Sequence, residues 1–240
     1  MKLIKLNAID STNDYLKDLI RKNDVENYTI VSCDYQLKGR GQRGNQWNSE
    51  AGKNLMFSVL RLFDGFEIRN AFYLNMIASL AVYNALNNRN VPNLKVKWPN
   101  DIMSGNQKLC GILIENMLQG SYIAKSIVGI GLNVNQKIFQ NQPKATSVSL
   151  VTGQDFNLDE LLVEIFTNLK LEFDNFNPET ILERYQQNLF HFKTKEHYVD
   201  KLGNQFLGII TEVISNGNLI VEMPDGELQS YAFKEIEFIY

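Results

Sequence analysis

Between residues 71 and 86 the apolar side chains Phe72, Tyr73, Met76, Ile77, Leu80 and Ala81 recur at spacings of three and four. That spacing puts them on one face of an amphipathic helix, which is expected to pack against a sheet. Upstream, residues 1–7 read as a short strand. Asp10 or Ser11 then caps a helix to about residue 22, because a short polar side chain there satisfies a free backbone donor. Residues 28–33 and 55–60 are rich in β-branched and aromatic side chains and read as strands. Residues 94–98, 108–116 and 121–130 read as three more. Ser104-Gly105-Asn106-Gln107 and Gln119-Gly120 supply turns between them, so an antiparallel meander is expected. Helices follow over 158–173 and 178–188, the second with Pro178 in its first turn, where a missing donor does no harm. From about residue 195 the pattern changes to short strands, 205–214, 218–223 and 228–233, broken by Ser215-Asn216-Gly217 and Pro224-Asp225-Gly226. A module of roughly 45 residues is near the lower limit of independent folding, so it should lean on the rest. The pattern therefore predicts an α+β chain in two units, residues 1–192 and 193–240.

Composition narrows the classes. The 240 residues are 44% hydrophobic and 21% charged with net charge -3, ordinary for a globular protein with a sizeable core. No run of lysines and arginines forms a stripe along a phosphate backbone, which disfavours nucleic acid as the main partner. Cys33 and Cys110 stand far apart with no histidine cluster, so neither a disulfide framework nor a zinc site is indicated. The first residues lack the apolar run of a signal peptide, and no stretch is long and apolar enough to span a membrane. A cytoplasmic protein is expected. His191 and His197 have no nearby serine or cysteine partner and read as packing or surface residues.

Four segments carry candidate chemistry. In Gly39-Arg40-Gly41-Gln42-Arg43-Gly44-Asn45-Gln46-Trp47, glycines let backbone amides approach a ligand, arginines offer a planar fork for carboxylate or phosphate, and the tryptophan offers a stacking face. The same composition also suits a solvated loop. The order is not that of the phosphate-binding GxxxxGK[ST] loop. In Lys97-Trp98-Pro99-Asn100-Asp101, proline fixes a corner just after a strand, holding an amide and a carboxylate at a rigid place; an ordinary turn reads the same way. Lys108 opens an apolar strand that contains Gly111, a residue that lets a ligand or another backbone pass close by, although a lysine at a strand's mouth can equally snorkel to solvent. Gly129 and Gly131, with Asn133, end a further strand without the spacing of a dinucleotide fingerprint.

In order, and preceded by Asp10-Ser11-Thr12-Asn13 and Gln36, these segments resemble the catalytic domain of biotin-protein ligases over about residues 1–140, while the module from about 195 looks like that family's C-terminal domain. The resemblance implies a mixed, mostly antiparallel sheet packed with helices, similar to class II aminoacyl-tRNA synthetases, plus a small C-terminal β-barrel. It implies ATP and biotin as substrates, Mg2+ beside them, a biotin carboxyl carrier domain as protein partner, and a homodimer through a sheet edge by analogy. It places Ser11, Thr12, Asn13, Gln36, Gly39, Arg40, Gly41, Lys108, Gly111, Gly129 and Gly131 around biotin. Arg40, Gln42, Arg43, Trp47, Asn100, Lys108 and Asn133 would face ATP. Arg40 and Lys108 would neutralise charge during adenylation, and Asp101 would receive the proton of the incoming lysine. Some members carry arginines where this chain has Gln42 and Asn45; Lys53 is expected to restore one charge. The first strand starts almost at Met1, which leaves no room for the DNA-binding domain some members have.

Two rival readings are a lipoate-protein ligase or octanoyltransferase of similar fold, and a non-catalytic nucleotide-binding module. The Gly-Arg-Gly and Lys-Trp-Pro-Asn-Asp runs together favour biotin over lipoate.

Overall fold

The computed structural model describes residues 2–42, 46–140 and 142–240. Its larger sheet contains β1 (Lys2–Ile9), β2 (Thr29–Gln36), β3 (Leu55–Glu67), β4 (Leu94–Lys97), β5 (Asp101–Ser104), β6 (Gln107–Gln119) and β7 (Tyr122–Leu132) in the spatial order β1-β2-β3-β7-β6-β5-β4. Only β1 and β2 are parallel; the other pairs are antiparallel. The meander has one strand more than the pattern predicts, because β5 is four residues long and too short to show a period.

Alternation along the central strands divides the sheet's two faces. Ile30, Val59 and Val128 join the core under α2 (Ala71–Asn88), while their neighbours Val31, Leu60 and Ile127 pack under Leu16 of α1 (Thr12–Lys22). Ser11 caps α1, its hydroxyl accepting from the Asp14 amide; Asp10 instead pairs with Lys38. The amphipathic reading of α2 is corrected. Its Leu74, Ala78, Val82 and Ala85 are as buried as Met76, Ile77, Leu80 and Ala81, because α4 (Leu158–Asp174) and α5 (Pro178–Gln187) cover the side turned away from the sheet. A five-residue helix, α3 (Val148–Thr152), lies between β7 and α4.

The second sheet has the order β11-β10-β9-β8-β12, built from β8 (Lys195–Asp200), β9 (Gln205–Val213), β10 (Leu219–Glu222), β11 (Leu228–Tyr231) and β12 (Ile236–Phe238). The expected barrel is an open sheet among the described residues. β11 pairs with β10 and β12 with β8, and strands of four and three residues supply too little length for the staggered pairing that closure demands. Its apolar face, with Tyr198, Ile210, Val213, Leu219 and Val221, merges with the core around α2. The seam is specific: the Trp98 indole N–H donates to the Gly217 carbonyl at 2.9 Å, and Trp98 meets Phe233 edge to face at 5.9 Å.

Gly217 is needed there on two counts. Its φ is +92, and a β-carbon would stand 2.5 Å from Phe72 Cγ. Gly226, with φ +85, faces open space. Gly217→Ala should therefore cost about 2–4 kcal/mol, combining backbone strain with overpacking, and Gly226→Ala about 1–2 kcal/mol from strain alone. Urea midpoints of the two variants test this, and equal losses would contradict it.

Candidate functional site

One row of cross-strand partners defines the site. Lys97 on β4 pairs with Asp101 on β5, Asp101 with Gly111 on β6, and Gly111 with Gly131 on β7. Residues in one such row share a face of the sheet. On that face a cavity of about 470 Å³ is lined by Ser11, Thr12, Asn13, Gln36, Arg40, Gly41, Gln42, Trp47, Asn100, Asp101, Lys108, Gly111, Gly129 and Gly131, within the usual size range of small-molecule sites. Arg40 and Lys108 thus reach a single pocket from separate stretches of chain.

The glycines give the site its floor. A β-carbon on Gly131 would stand 2.7 Å from Trp47 Cε2, and one on Gly111 would be 3.4 Å from Trp47 Cζ3 and 3.2 Å from Lys108 Nζ. Trp47 therefore lies over a patch of bare backbone. Gly129 makes the same room for Asn13, whose amide would stand 3.1 Å from a β-carbon there. The Trp47 indole nitrogen and Gln42 Oε1 are buried without a hydrogen-bond partner among the described residues, two polar groups that a ligand would satisfy.

At the β1–β2 side the start of α1 is tied down by a short polar chain. Gln36 Oε1 accepts from the Thr12 amide at 2.8 Å and from its hydroxyl at 3.1 Å. Buried Ser58 donates within reach of both Thr12 Oγ1 at 2.7 Å and Asn13 Oδ1 at 2.6 Å. Asn13 in turn donates to Glu115 at 2.9 Å and to the Leu113 carbonyl at 3.3 Å. Neither Ser58 nor Glu115 stands out in the sequence, since each sits in an apolar strand with no motif around it.

Glu115 collects the charges here. It accepts from Lys17 at 2.8 Å and lies 3.2 Å from Arg40, which also pairs with Asp14 at 2.5 Å. Burial pushes the Glu115 carboxyl up, but the bonds from Lys17 and Asn13 and the charge of Arg40 outweigh it and hold the group below its ordinary value. Lys108 is paired as well, 2.7 Å from Asp101.

The Lys97–Asp101 corner is held on three sides. Trp98 is fixed to Gly217, the Tyr185 hydroxyl donates to the Pro99 carbonyl at 2.9 Å, and the Asn100 side chain donates to the Ile112 carbonyl while its own carbonyl accepts from the Ile112 amide. Asn100 lines the cavity with its amide already engaged.

Three expected residues do not line the cavity or cannot be placed. The Gly39 carbonyl accepts from the Trp47 amide at 2.9 Å, so Gly39 anchors the tryptophan and stands behind it. Asn133 is buried and donates to the Thr146 carbonyl at 3.0 Å, holding the chain that follows β7 instead of facing the cavity. Arg43 lies outside the described residues, as does Asn45. Lys53 does not restore a charge at the site: it is exposed, away from the cavity lining, and its charge acts on Asp155. The lysines that do line it beyond Lys108 are Lys97 and Lys144, and the second sheet contributes Phe233, Phe238 and Tyr240.

Thiol and imidazole chemistry have no place here. Burial pushes the Cys33 thiol up to about 12 and the Cys110 thiol higher still, leaving neither as a thiolate at neutral pH. His191 packs on Phe190 with ring centroids 3.7 Å apart, and burial lowers its pKa. Among the described residues no group of three or more His, Cys, Asp or Glu gathers to hold a metal ion.

A nearly ligand-ready pocket with bare glycine backbone, paired cations and no protein nucleophile defines a class of enzyme that activates a bound carboxylate with a nucleotide, or binds such a pair. Residues 6–133 match the model of the biotin/lipoate A/B protein ligase family. A biotin--[acetyl-CoA-carboxylase] ligase of Paracoccus denitrificans is 39% identical over 202 residues, 80% of this chain and 82% of that protein. The bifunctional ligase/repressor BirA of Escherichia coli is 29% identical over 96% of this chain and 72% of its own length. A biotin protein ligase from Aquifex aeolicus, solved in complex with biotin and ATP, superposes with a TM-score of 0.80 at 26% identity, covering 98% of this chain and 97% of that one. The chain belongs to the biotin/lipoate A/B protein ligase family.

Ionised Glu115 should stabilise the fold. Because its folded pKa is depressed, that contribution is complete above the unfolded value of about 4.3 and disappears as pH falls through the lower folded value. The stability difference between wild type and Glu115→Gln, from urea unfolding, should be positive at pH 7 and shrink below about pH 4.3. A difference that does not change with pH would reject the assignment.

Proposed function

We propose that the protein is an ATP-dependent biotin-protein ligase, forming biotinyl-5'-AMP and then passing biotin to a lysine of a carboxyl carrier domain. The observation that carries this reading is the convergence of Arg40 and Lys108 on one glycine-floored cavity. It is supported by the Paracoccus relative, named for that reaction, and by the Aquifex structure with both substrates bound.

In the first step a biotin carboxylate oxygen attacks the α-phosphorus of ATP, a new P–O bond forms, and the bond to the bridging oxygen breaks as pyrophosphate leaves. No protein nucleophile is required. Negative charge gathers on phosphate oxygens, and preorganised cations stabilise it. Lys108 and Arg40 fill that role by exchanging their present partners, Asp101 and the pair Asp14 and Glu115, for ligand oxygens. Release of Lys108 leaves the Asp101 carboxylate beside the reacting centre. In the second step the carrier's amine attacks the acyl carbon, AMP departs, and Asp101 takes the amine's proton, which a protonated lysine must lose to be nucleophilic. Mg2+ belongs to this scheme as the ion accompanying the triphosphate; the described side chains do not gather a cage of their own, as is usual for Mg2+ on nucleotides.

Around biotin we place Ser11, Thr12, Asn13, Gln36, Gly41, Gly111, Gly129 and Gly131, with Gly39 acting through Trp47. Gln42, Trp47 and Asn100 face the nucleotide, and Asn133 shapes the backbone behind it. Residues 1–192 form the catalytic unit and 193–240 the module that closes its edge. No helix among the described residues is long and apolar enough to cross a membrane; a cytoplasmic enzyme that pairs into a dimer through a sheet edge, without a DNA target, completes the reading.

Biotin-dependent exchange of labelled pyrophosphate into ATP tests adenylation, and biotin transfer to a purified carrier domain tests the second step. Lys108→Ala should lower exchange by about 10²–10³-fold, the usual cost of removing one charge-stabilising donor. Asp101→Asn should largely preserve exchange and slow transfer by about 10²-fold, the low end of general-base effects. Wild type that supports no biotin-dependent exchange would refute the function.

A further inference from the structure

The cations of the cavity fall into two groups. Arg40 and Lys108 each sit against carboxylates. Lys97 and Lys144 do not: among the described residues neither has an acidic group within ion-pair distance. Both gather instead on one phenol ring. Lys97 Nζ donates to the Tyr240 hydroxyl at 3.0 Å and lies 4.7 Å from the ring centroid, while Lys144 Nζ stands 4.1 Å from the same centroid. The three side chains come from β4, from the segment between β7 and α3, and from the residues after β12, and all three line the cavity.

Their position along the sheet is as informative as their charge. The Ser11, Thr12, Asn13 and Gln36 cluster lies at the β1–β2 side, Gly131 and Gly111 on β7 and β6, and Lys97 on β4 at the opposite edge. From β2 to β4 is five strand steps, about 24 Å at the usual spacing. Two ligands that react carboxylate to phosphate must lie end to end across this span, with Lys108 near their junction. Lys144 is held next to that junction, its carbonyl accepting from the Lys108 amide at 2.7 Å.

Two unpaired ammonium groups facing a cavity are an anion site. Ring faces attract them only modestly, so they remain available to a multivalent anion, and the Tyr240 hydroxyl, while accepting from Lys97, still has its own proton to donate. The one carboxylate nearby is Glu237, which also lines the cavity but pairs with neither lysine. Its presence favours a site for a strongly anionic group over one for a monovalent ion.

We propose that Lys97, Lys144 and Tyr240 form the subsite for the two terminal phosphates of the nucleotide and for the pyrophosphate that leaves. The assignment deepens the ligase reading and rests on it for the order of the two substrates. The second sheet is then part of the nucleotide site through Tyr240, and that residue sets the spacing of two lysines that come from different elements.

Calorimetric titration of the full chain with inorganic pyrophosphate tests this without requiring turnover. Lys97→Gln and Lys144→Gln should each weaken pyrophosphate about tenfold, as loss of one charge-assisted contact does. Tyr240→Ala should weaken it as well, and Lys144→Arg should restore affinity. Lys95→Gln, an exposed lysine two residues from Lys97 and outside the lining, should change nothing. In the exchange assay Lys97→Gln and Lys144→Gln should raise the KM for ATP by about tenfold, while the KM for biotin moves less than about twofold. Pyrophosphate affinity equal to wild type in both lysine variants, or lost equally in Lys95→Gln, would overturn the subsite. A wild type that binds pyrophosphate through Lys144 yet catalyses no biotin-dependent exchange would overturn the ligase reading and leave the anion site standing.

Discussion

Gly111 and Gly131 face each other across β6 and β7 with no side chain between them and whatever lies above. The rest of the site depends on that bare patch. Trp47 can lie flat on it only because two β-carbons are missing, and Lys108 can arch back over Gly111 toward Asp101 for the same reason. Glycines weaken a strand, because they bring no side chain to pack and lose more freedom on folding. The weakness is placed where the sheet is best supported. β7 lies between β3 and β6, the strands measure eleven and thirteen residues, and the opposite face of the same segment presents Ile112, Ile130 and Leu132 to the core under α2. A floor open to a ligand on one face is thus carried by close packing on the other.

Charge is arranged by a similar compromise. A pocket for a carboxylate and a triphosphate needs several cations, and several cations confined together repel one another before the ligand arrives. Arg40 and Lys108 avoid this by resting on Asp14, Glu115 and Asp101. When phosphate oxygens replace those carboxylates each cation keeps an anionic partner, so binding exchanges one charge-assisted bond for another instead of creating and desolvating a new pair. The exchange also has a chemical consequence, because the displaced Asp101 is left without its lysine at the stage when a proton must be accepted. Glu115, still held by Lys17 and Asn13, keeps its charge and the geometry of α1's first turn.

What the sequence made legible was local. Glycines two apart, a proline corner and an arginine between glycines each mark their own few residues, and the structure brings most of them to one cavity. Partners set by strand pairing between distant segments left no such mark. Ser58 meets Thr12 and Asn13 across 46 and 45 positions, and Glu115 meets Asn13 across 102. Lys144 and Tyr240 become site residues only when the second sheet docks. Asn133 shows the converse error: an asparagine just past two glycines reads the same whether it turns to a ligand or, as here, to the Thr146 carbonyl. The helix over 71–88 misled for a third reason, since a period of three and four shows which face is apolar but not that two further helices will bury the other side.

The second sheet enters the chemistry through Trp98. That residue belongs to the corner carrying Asn100 and Asp101, yet its indole hydrogen bond ends on Gly217, and its ring meets Phe233. Gly217 in turn is pressed against Phe72 at the start of α2, the helix that backs the whole glycine-bearing sheet. Corner, second sheet and central helix therefore form one closed mechanical loop, also joined by the Tyr185 hydroxyl on Pro99. Within such a loop no member shifts alone: a displacement of the second sheet large enough to admit a carrier domain's lysine would have to carry the tail bearing Tyr240 away from Lys97, or pull the Trp98 corner out of register with Gly111. The first costs one hydrogen bond and two ring contacts at the cavity's rim; the second breaks buried contacts on three elements. Opening at the rim is the cheaper motion, which places the carrier's approach at the edge of the cavity nearest β4 and leaves Asp101 fixed where the proton is taken.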